Sequence, residues 1–202
     1  MARTRAEDFD DKRRAILRAA ATVLADQGSE RASMSRIAGR AEVSKALLYH
    51  YYPGRDALVF AIIEGHLADL DAALATADDP GLAPPARLRA LVHAVLDAYR
   101  DADDAHKVQL NHTAGLPEPE RAAIIAIERR ILRRFAAVLA LVAPDLPPER
   151  RMPATMSLFG MLNWVYMWFR EDGPLSRPAY ADLATDLMLG GLPALARPPA
   201  GR

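Results

Sequence analysis

Hydrophobic residues recur at every third or fourth position along most of the chain, a spacing that predicts amphipathic helices. Strand-like alternation of apolar and polar residues is almost absent. Gly28 is expected to end the first helix, and prolines and capping serines divide the rest of the pattern. The predicted helices cover residues 9–27, 34–40, 45–51, 56–77, 85–103, 104–113, 117–142, 149–170 and 178–190. The predicted fold class is therefore all-α, with about nine helices.

The composition fits a chain with a hydrophobic core of its own. Its 202 residues are 51% hydrophobic and 26% charged, which allows one or two domains. The longest apolar stretches fall well short of the roughly 18 residues that a membrane span needs. The charged N-terminus lacks the apolar centre of an export signal. We therefore expect a cytoplasmic protein with no membrane contact.

Enzyme chemistry finds no support in the sequence. The chain has no cysteine, which removes disulfides, thiol catalysis and cysteine-ligated zinc. It has no glycine-rich phosphate loop, no Gly-x-Ser-x-Gly elbow and no His-Glu-x-x-His pair. His106 and His112 are too far apart to share one face of a helix as metal ligands usually must. We expect no catalytic residue, no metal and no cofactor.

The charge is balanced overall but not evenly distributed. The first 60 residues hold eleven basic and eight acidic side chains, whereas the rest hold fifteen and eighteen. A basic N-terminal region is compatible with nucleic-acid binding, but ordinary charge scatter explains it equally well.

Residues 33–52 carry the clearest functional pattern. Ser33 and Ser44 are placed to cap two short helices joined by a tight turn, which must pack on the first helix to form a three-helix head. The second of these short helices turns Leu48 and Tyr52 inward and leaves Lys45, Tyr49 and His50 outside. A short helix with small polar and cationic groups at its start fits the major groove of DNA. The alternative is a plain helical hairpin with an exposed tyrosine.

The pattern consists of Ile37-Ala38, Ala41-Glu42-Val43-Ser44-Lys45-Ala46-Leu47-Leu48-Tyr49-His50-Tyr51-Tyr52 and Arg55-Asp56-Ala57-Leu58. It resembles the DNA-binding head of the TetR family of bacterial transcriptional repressors. The family pattern is roughly Ile-Ala, then Ala-Gly-Val-Ser-x-Gly-x-Leu-Tyr-x-Tyr-Phe, then Lys-Asp/Glu-x-Leu. Four positions depart from it: Glu42 and Ala46 replace glycines, Tyr52 a phenylalanine and Arg55 a lysine. A residue with a Cβ at position 42 is strained if the turn is left-handed.

The resemblance implies a DNA-binding domain over residues 1–55 and a ligand-binding and dimerisation domain over residues 56–202. It implies contacts to the backbone of operator DNA from Ser33, Arg36, Lys45, Tyr49, His50 and Arg55. It implies contacts to base edges from Ser44, Lys45, Ala46 and Leu47.

Family members bind DNA as two-fold dimers, and the last two predicted helices are the natural dimer elements. Their apolar residues exceed what one subunit's core needs, so a four-helix bundle across the two-fold axis would bury them. A core within one chain is the alternative. The residues concerned are Met156, Phe159, Leu162, Val165, Leu183, Leu187 and Met188.

Two stretches of the second domain resemble TetR proteins that sense acyl-coenzyme A thioesters, particularly the phenylacetate-degradation repressors called PaaR. One comprises residues 108–112 with 127–135, and the other residues 159–169 with 173–176; the latter also resembles repressors of fatty-acid and steroid degradation. Coenzyme A is polyanionic with an apolar acyl end, so its site needs guanidinium groups and apolar walls. The candidate phosphate ligands are Arg129, Arg130, Arg133 and Arg134. The candidate acyl walls are Phe159, Trp164, Met167 and Trp168, with Asn111 and Asn163 orienting the thioester carbonyl.

Other interpretations of the same residues, including purely structural ones, stay open. Arginines on a long helix form a solvated face in many proteins, and aromatic residues at helical spacing commonly belong to a core. A TetR-type regulator of efflux that senses a lipophilic or drug-like ligand is a second functional hypothesis; a cationic ligand would favour acidic residues among aromatic ones. A helical protein-interaction module without DNA contact is the third.

Overall fold

The computed structural model describes the backbone of residues 2–196 and the side chains of residues 9, 11–26 and 32–196. Within this part of the chain all regular structure is helical, which confirms the all-α prediction. None of the helices described there is long and apolar enough to cross a membrane. The helices are α1 (Ala2–Arg31), α2 (Met34–Arg40), α3 (Lys45–Tyr51), α4 (Arg55–Ala77), α5 (Pro84–Ala98), α6 (Asp103–His112), a 3-10 turn (Thr113–Gly115), α7 (Glu118–Val142), α8 (Pro148–Asn163), α9 (Val165–Trp168) and α10 (Arg177–Ala196).

Several helix ends differ from the sequence prediction. The helix expected to reach residue 103 ends at Ala98, and the one expected to stop at residue 190 continues to Ala196. The stop expected at Gly28 is wrong, because α1 continues to Arg31. A glycine inside a helix costs about 1 kcal/mol relative to alanine but does not by itself break it. The helix expected over residues 149–170 ends at Asn163, since Trp164 has φ −87° and ψ −4° and the chain then forms only the single turn of α9.

The chain folds into two compact units, and α4 contributes residues to both. The head unit comprises Met1–Ala68 and Asp101–Ala126. In it α1 packs against α2 and α6, and α2 packs against α3. Its core contains fully buried side chains that the helical period placed inward: Ile16, Leu24, Ile37, Leu48, Leu58 and Ile63. This unit supplies the framework that holds α3.

The second unit comprises Asp69–Arg100 and Ile127–Arg202. Here α5 packs against α10 and α8. Phe135 and Phe159 meet edge to face, with ring centroids 4.9 Å apart, a geometry that aromatic quadrupoles favour. These compact units are defined by packing. The functional division expected at residues 55 and 56 remains a prediction.

The turn between α2 and α3 has a strained residue. Glu42 has φ 53°, in the left-handed region where a Cβ is disfavoured. Its side chain is exposed, so no buried contact compensates for the strain. The position is the one at which the TetR pattern has glycine. Glu42 thus adopts the backbone conformation of the residue it replaces.

Replacing Glu42 by glycine is expected to raise the free energy of unfolding by about 0.5–1 kcal/mol. Glycine removes the left-handed strain of roughly 1–2 kcal/mol but adds part of that cost back as entropy of the unfolded chain. Urea denaturation of the purified protein measures the change. Glu42→Ala is the matched control, because it removes the same carboxylate and keeps a Cβ. Equal stability of the two variants would show that φ at this position carries no cost.

Candidate nucleic-acid interface and effector site

The third helix begins at a well-formed cap. Ser44 has an extended backbone, and its hydroxyl oxygen accepts a hydrogen bond from the Leu47 N–H at 3.1 Å. Leu48 is fully buried and Tyr52 is nearly so, which confirms the inward face expected from the sequence. Arg13 of α1 donates from Nε to the Tyr52 hydroxyl at 3.2 Å. The core side of α3 is therefore fixed by both packing and a hydrogen bond.

The opposite side of α3 faces outward. Lys45, Tyr49 and His50 are all exposed, and 44% of the Tyr49 surface is accessible. The Lys45 ammonium lies 5.9 Å from the centre of the Tyr49 ring, at the outer limit of a cation–π contact. Ala46 is exposed and Leu47 is half-buried. The first turn of α3 thus presents a small, cationic and aromatic surface.

The other predicted DNA contacts lie at helix starts in the same unit. Ser33 caps α2 by accepting a hydrogen bond from the Arg36 N–H at 3.3 Å, and both side chains are exposed. Arg55 is the first residue of α4 and is half-buried. Its Nε atom is buried without a hydrogen-bond partner. Among the nine residues predicted to contact DNA, all of which the structure describes, Arg55 alone has a buried polar side-chain atom without a hydrogen-bond partner.

The two predicted carbonyl-orienting amides belong to different units. Asn111 is an exposed residue of α6 in the head unit, and Asn163 ends α8 in the second unit. The Tyr99 hydroxyl donates a hydrogen bond to Asn163 Oδ1 at 2.8 Å. Burial, and secondarily the charge of Glu128, raises the pKa of Tyr99 above its ordinary value, so the phenol stays neutral and keeps its proton.

Tyr99 and Glu128 are two further candidate effector residues, because Tyr99 holds Asn163 and the charge of Glu128 acts on Tyr99. The sequence pattern did not indicate either of them. Tyr99 closes the apolar stripe of α5, where its ring looked like ordinary core. The hydroxyl at the end of that stripe was the available signal. Glu128 directly precedes the arginines of α7, and the sequence pattern there indicated a basic surface.

The four predicted phosphate ligands fall into two pairs. Arg130 Nε contacts Asp71 Oδ2 at 2.8 Å, and Arg134 contacts Asp71 and Asp78 at 3.3 and 3.8 Å. Arg129 and Arg133 are exposed. Among the described side chains no carboxylate pairs with either of them. Arg130 and Arg134 therefore form ion pairs within the second unit, whereas Arg129 and Arg133 are exposed and have no such pair in the described part of the chain.

The predicted acyl walls are also divided. Phe159 is buried in the core of the second unit. Trp164, Met167 and Trp168 are each about half exposed, at 57%, 58% and 47%. Trp168 packs edge to face on Tyr180 with ring centroids 4.9 Å apart. Phe159 therefore belongs with the aromatic core, and the other three form an apolar surface at the end of α8 and in α9.

The predicted dimer residues separate in the same way. Phe159, Leu162, Val165 and Met188 are buried in the chain's own core, as the intramolecular alternative required of them. Met156, Leu183 and Leu187 remain exposed, at 51%, 46% and 58%. The two leucines lie one turn apart on α10, and exposed Met152 lies one turn before Met156 on α8. Two apolar stripes thus remain on the surface of the second unit.

Comparison with known proteins covers most of the chain. Residues 16–62 match the family model "Bacterial regulatory proteins, tetR family", and residues 81–192 match "Tetracyclin repressor-like, C-terminal domain". The HTH-type transcriptional activator FasR of Mycolicibacterium smegmatis is 26% identical over 186 residues, which are 91% of this chain and 84% of FasR.

Solved structures agree with these matches. A TetR-family transcriptional regulator from Bordetella parapertussis has a TM-score of 0.83 and 31% identity, covering 91% of this chain and 96% of that one. AibR, solved in complex with isovaleryl coenzyme A and operator DNA, has a TM-score of 0.74 and 28% identity. That alignment covers 90% of this chain and 97% of AibR.

Proposed function

Because the chain belongs to the TetR family of bacterial transcriptional regulators, we propose that it is a dimeric repressor released from operator DNA by an acyl-coenzyme A thioester. The DNA-binding part rests above all on the exposed first turn of α3. Ser44, Lys45, Ala46 and Leu47 are the proposed contacts to base edges. The proposed contacts to the DNA backbone are Ser33, Arg36, Lys45, Tyr49, His50 and Arg55.

The geometry of α3 supports this division of roles. Leu48 and Tyr52 anchor the helix in the head unit, so its outer face can enter a major groove without unfolding. Lys45 and the Tyr49 hydroxyl supply donors that suit phosphate oxygens. Leu47 offers only apolar contact, which suits a thymine methyl group.

The dimeric arrangement is supported by the exposed stripes on α8 and α10. Single exposed hydrophobic residues are ordinary on a protein surface, but two stripes with one-turn spacing on neighbouring helices suit a helical bundle. A two-fold dimer supplies the two copies of α3 that reading successive major grooves requires.

The acyl-coenzyme A ligand is supported by the second unit and by AibR, whose structure holds isovaleryl coenzyme A. Arg129 and Arg133 are the first choice for the ligand's phosphates, because they are exposed and engage no carboxylate among the described side chains. Arg130 and Arg134 would have to exchange Asp71 for a phosphate. Asn163, held by Tyr99, is the proposed donor to the thioester carbonyl. Phenylacetyl is the acyl group that the sequence resemblance favours.

A second candidate ligand is a lipophilic cation, as in regulators of efflux. The charge of Glu128 acts on the buried hydroxyl of Tyr99. A negative charge that acts on this phenol would favour a cationic ligand over an anionic one. The two ligand classes place opposite charges in the site, so one experiment separates them.

Titration of the protein–DNA complex tests the ligand assignment. The DNA is the segment upstream of the protein's own gene, and complex formation is followed by fluorescence anisotropy. Phenylacetyl-coenzyme A is expected to release the DNA at lower concentration than palmitoyl-coenzyme A or free coenzyme A. Arg133→Ala is expected to raise the releasing concentration by about tenfold, the size of one charge-assisted contact, with unchanged affinity for DNA.

Arg121→Ala is the matched control for that variant. Arg121 lies on the same helix, but it pairs with Glu118 one turn earlier, so its loss should leave release unchanged. Equal release from wild type and Arg133→Ala would remove Arg133 from the site. Release by tetraphenylphosphonium alone, lost in Glu128→Gln, would establish the cationic ligand instead.

A further inference from the structure

A small cavity in the head unit is partly open to solvent. Asn111, which the sequence analysis related to the acyl-coenzyme A ligand, is among its lining residues. The cavity volume is about 130 Å³, and it is bounded by the first turns of α4 and the end of α6. A space of this size accommodates a few atoms, such as a carboxylate or phosphate group, but not a coenzyme. The lining residues are Arg55, Asp56, Val59, Asn111, His112, Gly115 and Leu116.

One wall of the cavity carries a charged donor that lacks a partner. The Nε atom of Arg55 is buried and makes no hydrogen bond. No carboxylate forms an ion pair with Arg55 in the part of the chain that the structure describes. Buried donors are almost always satisfied, and leaving a charged one unsatisfied is costly. Arg55 lines the cavity, so an anion held there would supply an acceptor for its side chain.

A second basic group lines the same space. Burial, followed by the positive charge of Arg55, lowers the pKa of His112, and a hydrogen bond to the Leu24 backbone of α1 opposes that shift. Asn111 adds an amide that can donate. Asp56 is the acidic residue among those lining the cavity, and its side chain is exposed to water, so it weighs less than the two more buried bases. Together these groups favour a negatively charged occupant.

We propose that this cavity binds one small anion, a carboxylate or phosphate group, between Arg55 and His112. The anion accepts a hydrogen bond from Arg55, and its negative charge favours the protonated form of His112. It also holds the Arg55 guanidinium inward and away from a DNA phosphate; this second step rests on the proposed DNA contact of Arg55. The cavity is thus a second control point, separate from the acyl-coenzyme A ligand.

Histidine side-chain NMR on the full-length protein tests the binding step. The pKa of His112, assigned with His112→Gln, is measured in chloride and then in acetate or phosphate at equal ionic strength. An anion bound beside the ring is expected to raise that pKa by about one unit. The exposed His50 is the internal reference. A shift with acetate alone or phosphate alone identifies which group is bound.

Arg55→Gln is the matched variant for the binding step, and it is expected to abolish the anion effect on His112. An unchanged His112 pKa in both anions would overturn the proposal. A shift that His50 shares, or that Arg55→Gln retains, would overturn it as well, because each would indicate bulk electrostatics.

DNA binding tests the second step. The active anion is expected to weaken wild-type binding to operator several-fold beyond chloride at equal ionic strength, and to have no extra effect on His112→Gln. A shift of the His112 pKa without any change in DNA affinity would support the anion site but overturn its proposed effect on DNA binding. Failure of every version to bind DNA in chloride would instead refute the proposed function, while the NMR result would still stand.

Discussion

A Leu187→Glu variant is expected to be monomeric and to lose at least about 100-fold in affinity for operator DNA. Leu187 is the most exposed leucine of α10, with 58% of its surface accessible. A two-fold interface repeats the substitution on both subunits, so two unpaired charges would be buried in it. Losing the second head removes the avidity that couples two half-sites, which is typically worth two orders of magnitude or more.

Analytical ultracentrifugation measures the mass of the variant, and anisotropy measures its DNA affinity. Leu110→Glu is the matched control, because Leu110 is also an exposed leucine, at 45%, but lies on α6 in the head unit. It should stay dimeric. Lys45→Ala supplies the opposite comparison, since it should bind operator weakly while remaining a dimer. A dimeric Leu187→Glu would refute the interface proposed for α8 and α10.

An Arg177→Ala variant is expected to lose about 3 kcal/mol of unfolding free energy. Arg177 is buried although it carries a charge. Its Nε and Nη2 donate to Glu171 Oε1 at 2.8 and 2.6 Å, and its Nη1 donates to the Leu96 carbonyl at 3.1 Å. Its guanidinium carbon lies 4.9 Å from the centre of the Phe169 ring. The variant would leave the Leu96 carbonyl unsatisfied and remove the cation–π contact.

Urea denaturation with a far-ultraviolet signal measures that loss. Arg177→Lys should be intermediate, because an ammonium cannot reproduce the planar fork of donors. Arg100→Ala is the control; Arg100 forms an exposed pair with Asp97 on the surface of the same unit, and such pairs contribute little. A loss below about 1 kcal/mol for Arg177→Ala would mean that water replaces these contacts.

The head was predictable because its determinants are local. Ser44 caps α3 through a residue three positions away, and the inward face of Leu48 follows from the helical period. The strain at Glu42 was also foreseeable, since the TetR pattern has glycine where this chain has a Cβ. Each of these inferences needs only neighbouring residues.

The second unit was less predictable because its contacts join distant residues. Arg130 meets Asp71 across 59 positions, and Arg177 meets the Leu96 carbonyl across 81. Periodicity indicates which face of a helix turns inward, but not which acid meets which base. The end of α8 at Asn163 was hidden for a related reason: the apolar run continues through Trp164 without a glycine or proline to mark the break.

The length of α4 sets the scale of movement that regulation would need. The helix is unbroken for 23 residues, which corresponds to about 33 Å at 1.5 Å per residue. Tilting a rod of that length by about 5° about one end carries the other end through about 3 Å, which is the length of a hydrogen bond. With the pivot at the Ala77 end, Asp71 itself moves by only about 1 Å. A small displacement near Asp71 would therefore suffice to carry Arg55 into or out of reach of a phosphate.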